Sequence, residues 1–374
     1  MATLTRIGVG LGVGLGGVGT GVAGLGWMYS SVLLGTTPRT VFPERVLAAD
    51  ASTVMLVATR LTTQPGVWGL RWADELAVLG PVVVNGRREV VRELIAGPVP
   101  AAGTAAVLDT GPYDPNPGAR GLAFETVDVP GPLGRYPAWW VPTPGGNRPW
   151  VVMVHGRGGS LREGLRVLPA IHRRGHPVLM ISYRNDDHAP PSPDGHYHLG
   201  DTEWTDLEAA VEYVRGRGVD RIVLYGWSMG GAIIGAFLDR SPLAGHVAAV
   251  VWDAPLVDWR ATLRQQARNR RLPPALSPLA SAVTSRRIGI DFDRFDLRRR
   301  PPTVRPPTLV VHSVEDTAVP ISATRALVAD APLLDWPMRF VEVPGVEHTA
   351  AWNADPVAYE RSVVGFLDDV LPPG

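Results

Sequence analysis

The apolar and polar positions of this 374-residue chain change their pattern twice. From Ile7 to Leu34 no side chain is charged, a run longer than the roughly 20 residues that a membrane-spanning helix needs. Glycine recurs through it, which weakens a helix in water. In lipid the backbone must still bond to itself, and small residues four apart let helices approach closely. Trp27 and Tyr29 suit an interfacial position near its end. Residues 1–35 are therefore expected to be a Gly-rich membrane anchor. The run is too long for a signal-peptide core, and no clear A-x-A site follows it. Arg6 before it and Arg39 and Arg45 after it nearly balance, with a lean towards an extracytoplasmic catalytic domain.

From residue 36 to 121 the pattern is short β-type runs, at Thr53–Thr59, Val67–Trp72 and Leu76–Val84, broken by turn signals such as Asn85-Gly86 and Asn116-Pro117-Gly118. This predicts a strand-rich extension without a titratable cluster, structural or regulatory in role. Phe124–Val129 and Tyr136–Val141 read as an antiparallel hairpin. After Pro149, apolar runs (Trp150–Val154, Val178–Tyr183, Arg221–Tyr225, Val247–Trp252, Thr308–His312, Met338–Val343) alternate with helical stretches at Arg162–Arg174, Glu203–Arg217, Met229–Arg240, Ser322–Ala329 and Asp355–Val370. That alternation predicts an α/β domain over 122–374, its sheet mostly parallel with helices on both faces. Leu256–Pro306 interrupts it as a cap insertion.

Composition narrows the chemistry. The chain has no Cys, and all 36 of its basic residues are Arg. No thiolate nucleophile, disulfide, Walker lysine or Schiff-base amine is possible. Covalent chemistry falls to a hydroxyl or carboxylate, with nine His as bases. Zero net charge gives no reason to expect nucleic acid as a partner. Gly12-x-Gly14-x-x-Gly17 and Gly14-x-Gly16-x-x-Gly19 spell a dinucleotide fingerprint, but neither has the preceding strand or the later acid.

The candidate site lies at strand ends. Gly226-Trp227-Ser228-Met229-Gly230 follows a strand and opens a helix, the context in which G-x-S-x-G puts a serine on a strained, exposed turn. His155-Gly156-Arg157-Gly158-Gly159 follows the strand Trp150–Val154. Its Arg157 backbone N–H, with that of Met229, can face an oxyanion. His155 itself reads as a buried residue steadying that loop. Thr308–His312 leads to Asp316, and Met338–Val343 leads to His348. Ser228, Asp316, His348 is the chain order expected of a nucleophile, an orienting acid and a base. Glu315 and Asp253 are alternative acids.

With HGRGG, GWSMG, SVEDTAVP and GVEH in place, the sequence resembles the α/β-hydrolase fold serine hydrolases over roughly residues 122–370. It looks most like bacterial esterase- or peptidase-like members with an antiparallel hairpin before an HG-x-GG loop. Resemblance to prolyl oligopeptidase-type peptidases stops at the catalytic domain, since the extension is too short for a propeller. The resemblance implies no cofactor, a small-molecule or lipid-like acyl substrate, and ester cleavage through a Ser228 acyl-enzyme. A peptidase or acyltransferase on the same triad is the alternative, and a non-catalytic membrane-tethered binding protein a second.

Three features stand outside that core. The cap carries 12 Arg against four Asp, net +8. It reads either as an attractant for anionic substrates or lipid headgroups, or as the solvated face of a helix bearing Arg260, Arg264, Arg268 and Arg271, and the latter is favoured. His196-x-His198, near His188 and Asp186-Asp187, lacks an evident fourth ligand, so no metal is expected. Arg184 at a strand end is expected to bridge loops, with contact to a substrate carboxylate as the alternative.

Overall fold

The computed structural model describes residues 24, 26–36, 41–111, 115–144, 148–271 and 276–371. Two sheets organise them. The first is a closed antiparallel barrel of β1 (Glu44–Ala49), β2 (Thr53–Val57), β3 (Trp68–Trp72), β4 (Glu75–Asn85), β5 (Glu89–Ala96) and β6 (Ala105–Asp109), in the order β1-β2-β5-β4-β3-β6. Alternation drives it: in β2 only Val54 and Leu56 are buried, and in β5 only Val90 and Arg92. The sequence pattern reveals β2, β3 and β4 but not the strands that close the barrel. β5 hides because one of its inward positions is Arg92, a charged side chain that breaks the apolar alternation.

The second sheet has eight strands: β7 (Glu125–Gly131), β8 (Gly134–Val141), β9 (Trp150–Val154), β10 (Val178–Ile181), β11 (Ile222–Trp227), β12 (Val247–Asp253), β13 (Thr308–Ser313) and β14 (Met338–Val343). Their order is β14-β13-β12-β11-β9-β10-β8-β7, with β9 to β14 parallel and the β7–β8 hairpin antiparallel at one edge. β9, β10, β11, β12 and β13 are buried along their whole length, which is why they read as unbroken apolar runs. The chain passes from β9 to one neighbour, β10, and later to the other, β11, and the crevice at such a switch is where ligands bind in open α/β sheets.

The helices are α1 (26–34), α2 (Leu168–Arg173), α3 (Trp204–Arg215), α4 (Met229–Arg240), α5 (Trp259–Asn269), α6 (Leu276–Ile288), α7 (Ile321–Asp330), α8 (Ala351–Ala354) and α9 (Pro356–Val370). α3 and α4 cover one face of the sheet, and α2 and α9 the other. The helix expected over Arg162–Arg174 is split into a 3₁₀ segment, Leu161–Arg166, and α2. Gly164 lies in the 3₁₀ segment, and a Cβ there would sit 2.6 Å from the Met153 sulfur.

Only the end of the expected anchor lies among the described residues. Residues 7–23 and Leu25 lie outside the described residues, but α1 packs on the cap. Gly26 lies against Val283 and Leu279 of α6, Leu34 is fully buried, and its carbonyl accepts the Tyr197 N–H at 3.1 Å. Trp27 and Tyr29 are not simply interfacial aromatics: the Arg287 and Arg270 guanidinium groups lie 4.1 Å and 5.7 Å from their ring centres. Among the described residues no helix is long and apolar enough to cross a membrane.

Candidate active site

Ser228 sits between β11 and α4 at φ 50°, ψ −115°, a conformation few side chains tolerate. The flanking glycines make room for this turn. A Cβ on Gly230 would lie 2.2 Å from the Val154 carbonyl oxygen, and one on Gly226 would lie 2.6 Å from Ile234 and 2.9 Å from the Gly230 backbone. The hydroxyl thus stands at the helix N-terminus, where negative charge is favoured.

The structure brings the expected residues together. His348 Nε2 is 2.8 Å from Ser228 Oγ, and His348 Nδ1 is 2.6 Å from Asp316 Oδ2. A carboxylate can only accept, so Nδ1 carries the proton and Nε2 is left to accept from the serine. Burial alone would lower the His348 pKa, but the charge and hydrogen bond of Asp316, helped by Asp253 and Glu163, raise it. Burial opposes ionisation of Asp316 too, yet His348 and His312 together hold its carboxyl well below the usual range. Its other oxygen accepts from the Ala318 and Val319 N–H groups, both at 2.8 Å.

Neither alternative acid faces His348 in this way. Glu315 turns aside to accept the Gly345 N–H at 2.6 Å. Asp253 is fully buried beneath the site and accepts from the Tyr359 hydroxyl at 2.8 Å, while burial raises its pKa.

Arg157 and Met229 line the same cavity as Ser228. As the first residue of α4, Met229 has no intrahelical acceptor for its N–H. The Arg157 loop is held from three sides. Glu163 accepts the Gly156 N–H at 2.8 Å, and the Tyr183 hydroxyl donates to the Gly156 carbonyl at 2.9 Å. His155, stacked on Tyr183 at 4.4 Å, is 2.8 Å from Asp186. Burial works against a charged His155, but Asp186 outweighs it and the pKa rises.

Other singled-out residues have structural partners. Arg184 forms a buried two-pronged pair with Asp206 at 2.7 Å on both oxygens, which ties the β10 loop to α3. His196 receives Arg287 at 3.0 Å, and His198 meets Asp194 at 3.1 Å. Among the described residues no group of three or more His, Asp or Glu is arranged to hold a metal.

Several contributors escaped sequence reasoning. His312, fully buried, lies 3.1 Å from Asp316, and its only sequence signal is a polar residue at the end of an apolar strand. On α5 of the cap, Gln265, Gln266 and Asn269 donate to the carbonyls of Asp316, Ala318 and Thr317 at 3.0, 2.7 and 2.7 Å. Six cap arginines (Arg260, Arg264, Arg294, Arg298, Arg299 and Arg300) face aspartates. Four of those aspartates (Asp258, Asp291, Asp293 and Asp296) are the cap's own and already counted in its net charge, so only Asp239 and Asp330 offset it further. The six arginine side chains are exposed, as on a solvated helix face.

The cleft above Ser228 has a volume of about 990 Å³. α1 supplies Tyr29, Val32 and Leu33 to its wall, α5 supplies Trp259 and Leu263, and the barrel supplies Leu76.

Comparison with known proteins agrees with this architecture. Residues 149–275 match a family described as alpha/beta hydrolase fold, and residues 45–109 match a domain of unknown function. Uncharacterized proteins from two strains of Mycobacterium tuberculosis are 30% identical over 258 residues, covering 68% of this chain and 77% of theirs. An esterase of Pyrococcus furiosus shares the fold at a TM-score of 0.55 and 17% identity, over 69% of this chain and 95% of its own.

Proposed function

The chain belongs to the α/β-hydrolase family, and we propose that it is a serine hydrolase that cleaves an ester through a Ser228 acyl-enzyme. The observation that carries the proposal is the unbroken chain from Ser228 Oγ to His348 (2.8 Å) to Asp316 (2.6 Å). His348 Nε2 takes the hydroxyl proton as Ser228 Oγ bonds to the substrate carbonyl carbon. The carbonyl oxygen becomes an oxyanion held by the backbone N–H groups of Arg157 and Met229. As the tetrahedral adduct collapses, the bond to the leaving oxygen breaks and His348 returns the proton to it. Water, deprotonated by the same nitrogen, then attacks the acyl-enzyme carbonyl; the bond to Ser228 Oγ breaks, His348 returns the proton to that oxygen, and the acid is released. Asp316 keeps Nδ1 protonated and stabilises the transient imidazolium.

A small-molecule or lipid-like acyl substrate suits a cleft walled by Val32, Leu33, Trp259 and Leu263. We further infer that the expected anchor over residues 1–35, with its uncharged run from Ile7, tethers the chain to a membrane. The test of the activity is direct. Wild type should hydrolyse p-nitrophenyl esters and react with a fluorophosphonate, and Ser228→Ala should do neither. Turnover by Ser228→Ala at the wild-type rate would refute the assignment.

A further inference from the structure

The barrel takes no step in the acyl transfer, yet it is fastened to the loop that carries the base. Among the described residues β14 is an edge strand with β13 as its sole neighbour, so the segment leaving it towards His348 has no described sheet on one side. The barrel fills that side. Val346 and Ala350, two residues either side of His348, are buried in the barrel's own apolar cluster.

Polar contacts fix the register. The Glu347 N–H donates to Gln64 Oε1 at 3.0 Å. Val67 N–H donates to the Asn353 carbonyl, and the Asn353 amide returns a bond to the Val67 carbonyl, each at 2.8 Å. Gly66, at φ +82°, allows this approach, since a Cβ there would lie 1.9 Å from the Asn353 oxygen. Arg60 meets the Glu347 carboxylate at 2.8 Å. That carboxylate also accepts from the Thr317 N–H and hydroxyl, next to Asp316, at 3.1 and 2.8 Å.

The barrel side of the joint is itself rigid. The buried Arg92 guanidinium donates to the carbonyls of Thr62, Gln64 and Gly66 at 3.0, 2.6 and 2.6 Å. A connected path of bonds therefore runs from β5 through the loop at 60–66 to the backbone beside His348. The barrel also lends Arg71, Leu76 and Asp109 to the wall of the cleft above Ser228.

We propose that the barrel is a built-in brace of the active site, and that Gln64 is the positioning residue through which it holds His348 against Ser228. The proposal rests on His348 being the general base. Its logic is geometric: misplacing a reacting group by about 1 Å can cost up to about a hundredfold in rate. Gln64 spans the two modules at a single backbone N–H one residue from the base.

The test uses the full chain and two nearly isosteric variants. Gln64→Met removes the acceptor for the Glu347 N–H, and Gln64→Glu keeps one. Three quantities are read: the fluorophosphonate labelling rate of Ser228, kcat and KM for p-nitrophenyl acetate per titrated active site, and the thermal midpoint. Gln64→Met should lower the labelling rate and kcat about tenfold, with KM changed less than about twofold, and Gln64→Glu should recover most of the loss. A purely structural joint would instead lower the midpoint and the titratable fraction while leaving rates per site intact, and that result overturns the proposal. So does a Gln64→Glu variant as slow as Gln64→Met. If wild type labels but cleaves no ester, the ester reading fails while the labelling rates still decide the brace.

Discussion

His312 donates its Nε2–H to Asp316 at 3.1 Å, on the same Oδ2 atom that His348 holds at 2.6 Å. The other His312 nitrogen, Nδ1, accepts from the Thr324 hydroxyl at 2.9 Å, which fixes its tautomer. His312→Leu should remove one donor from a buried carboxylate and cost about 1–3 kcal/mol of stability. The pH sign follows from linkage. A carboxyl whose folded pKa is depressed below its usual value of 3.8 adds stability above that pH and loses it as pH falls through the folded pKa. With His312 gone the depression shrinks, so the acid-unfolding midpoint should move to higher pH. Circular dichroism titration of the two proteins measures it, and an unmoved midpoint contradicts the assignment.

Activity should have its own pH limit. His348 must be neutral to act as a base, and its pKa is raised above the ordinary 6.5. The acid limb of kcat/KM is therefore expected to have its midpoint above 6.5. Asp316→Asn removes the main charge that raises it. The midpoint should then fall, with turnover reduced about 10⁴-fold because the wrong tautomer is favoured. A limb that stays in place in that variant would mean that another group titrates.

The parts that could be read from sequence were those whose geometry is local. Ser228 announces itself because Gly226 and Gly230 are sterically required within the same turn, as the 2.6 Å and 2.2 Å approaches of a hypothetical Cβ show. Parallel strands such as β11 and β12 read clearly because both faces are buried. The supports were hidden because they act across distance. Gln64 and Glu347 are 283 residues apart, and neither carries a spacing signal that points to the other. The barrel's closing strand β5 was masked by Arg92, whose inward guanidinium makes sense only once its carbonyl partners are seen.

The steric requirement at the turn can be tested by a single methyl. Gly230→Ala puts a Cβ into the Val154 carbonyl, which is backbone and cannot swing away. Strand β9 or the turn must shift, so the variant is expected to lose activity and several degrees of thermal midpoint, on the order of 1–3 kcal/mol. Gly245→Ala, where nothing lies within 4 Å, serves as the control and should match wild type.

The N-terminal helix is expected to matter to the catalytic domain as well as to any tether. Leu34 is fully buried and its carbonyl holds Tyr197, while Arg287 donates to Ser31 Oγ at 2.9 Å. A chain starting at residue 24 should keep the fold and leave the membrane fraction. One starting at residue 36 should lose about 2–5 kcal/mol for the Leu34 site alone, by analogy with large-to-small core changes. Equal stability of the two truncations would show that α1 contributes nothing to the domain.

The cap gives the last test. Its net charge of +8 invites the idea of an electrostatic funnel. The pairs of Arg260 with Asp293 and Arg300 with Asp291 lie within the cap and are already in that sum, while Arg298 with Asp330 of α7 and Arg294 with Asp239 of α4 offset it from outside. The inward face of α5 works through neutral amides instead, with Gln265, Gln266 and Asn269 clamped onto the acid loop. Raising ionic strength from about 0.05 to 0.5 M shortens the Debye length severalfold. If the cap were a funnel, KM for an anionic ester would climb with salt while that for a neutral ester stayed level. The expected result is a change of less than about twofold for both, whereas Gln266→Ala, which loosens the loop carrying Asp316, should lower kcat at every salt concentration.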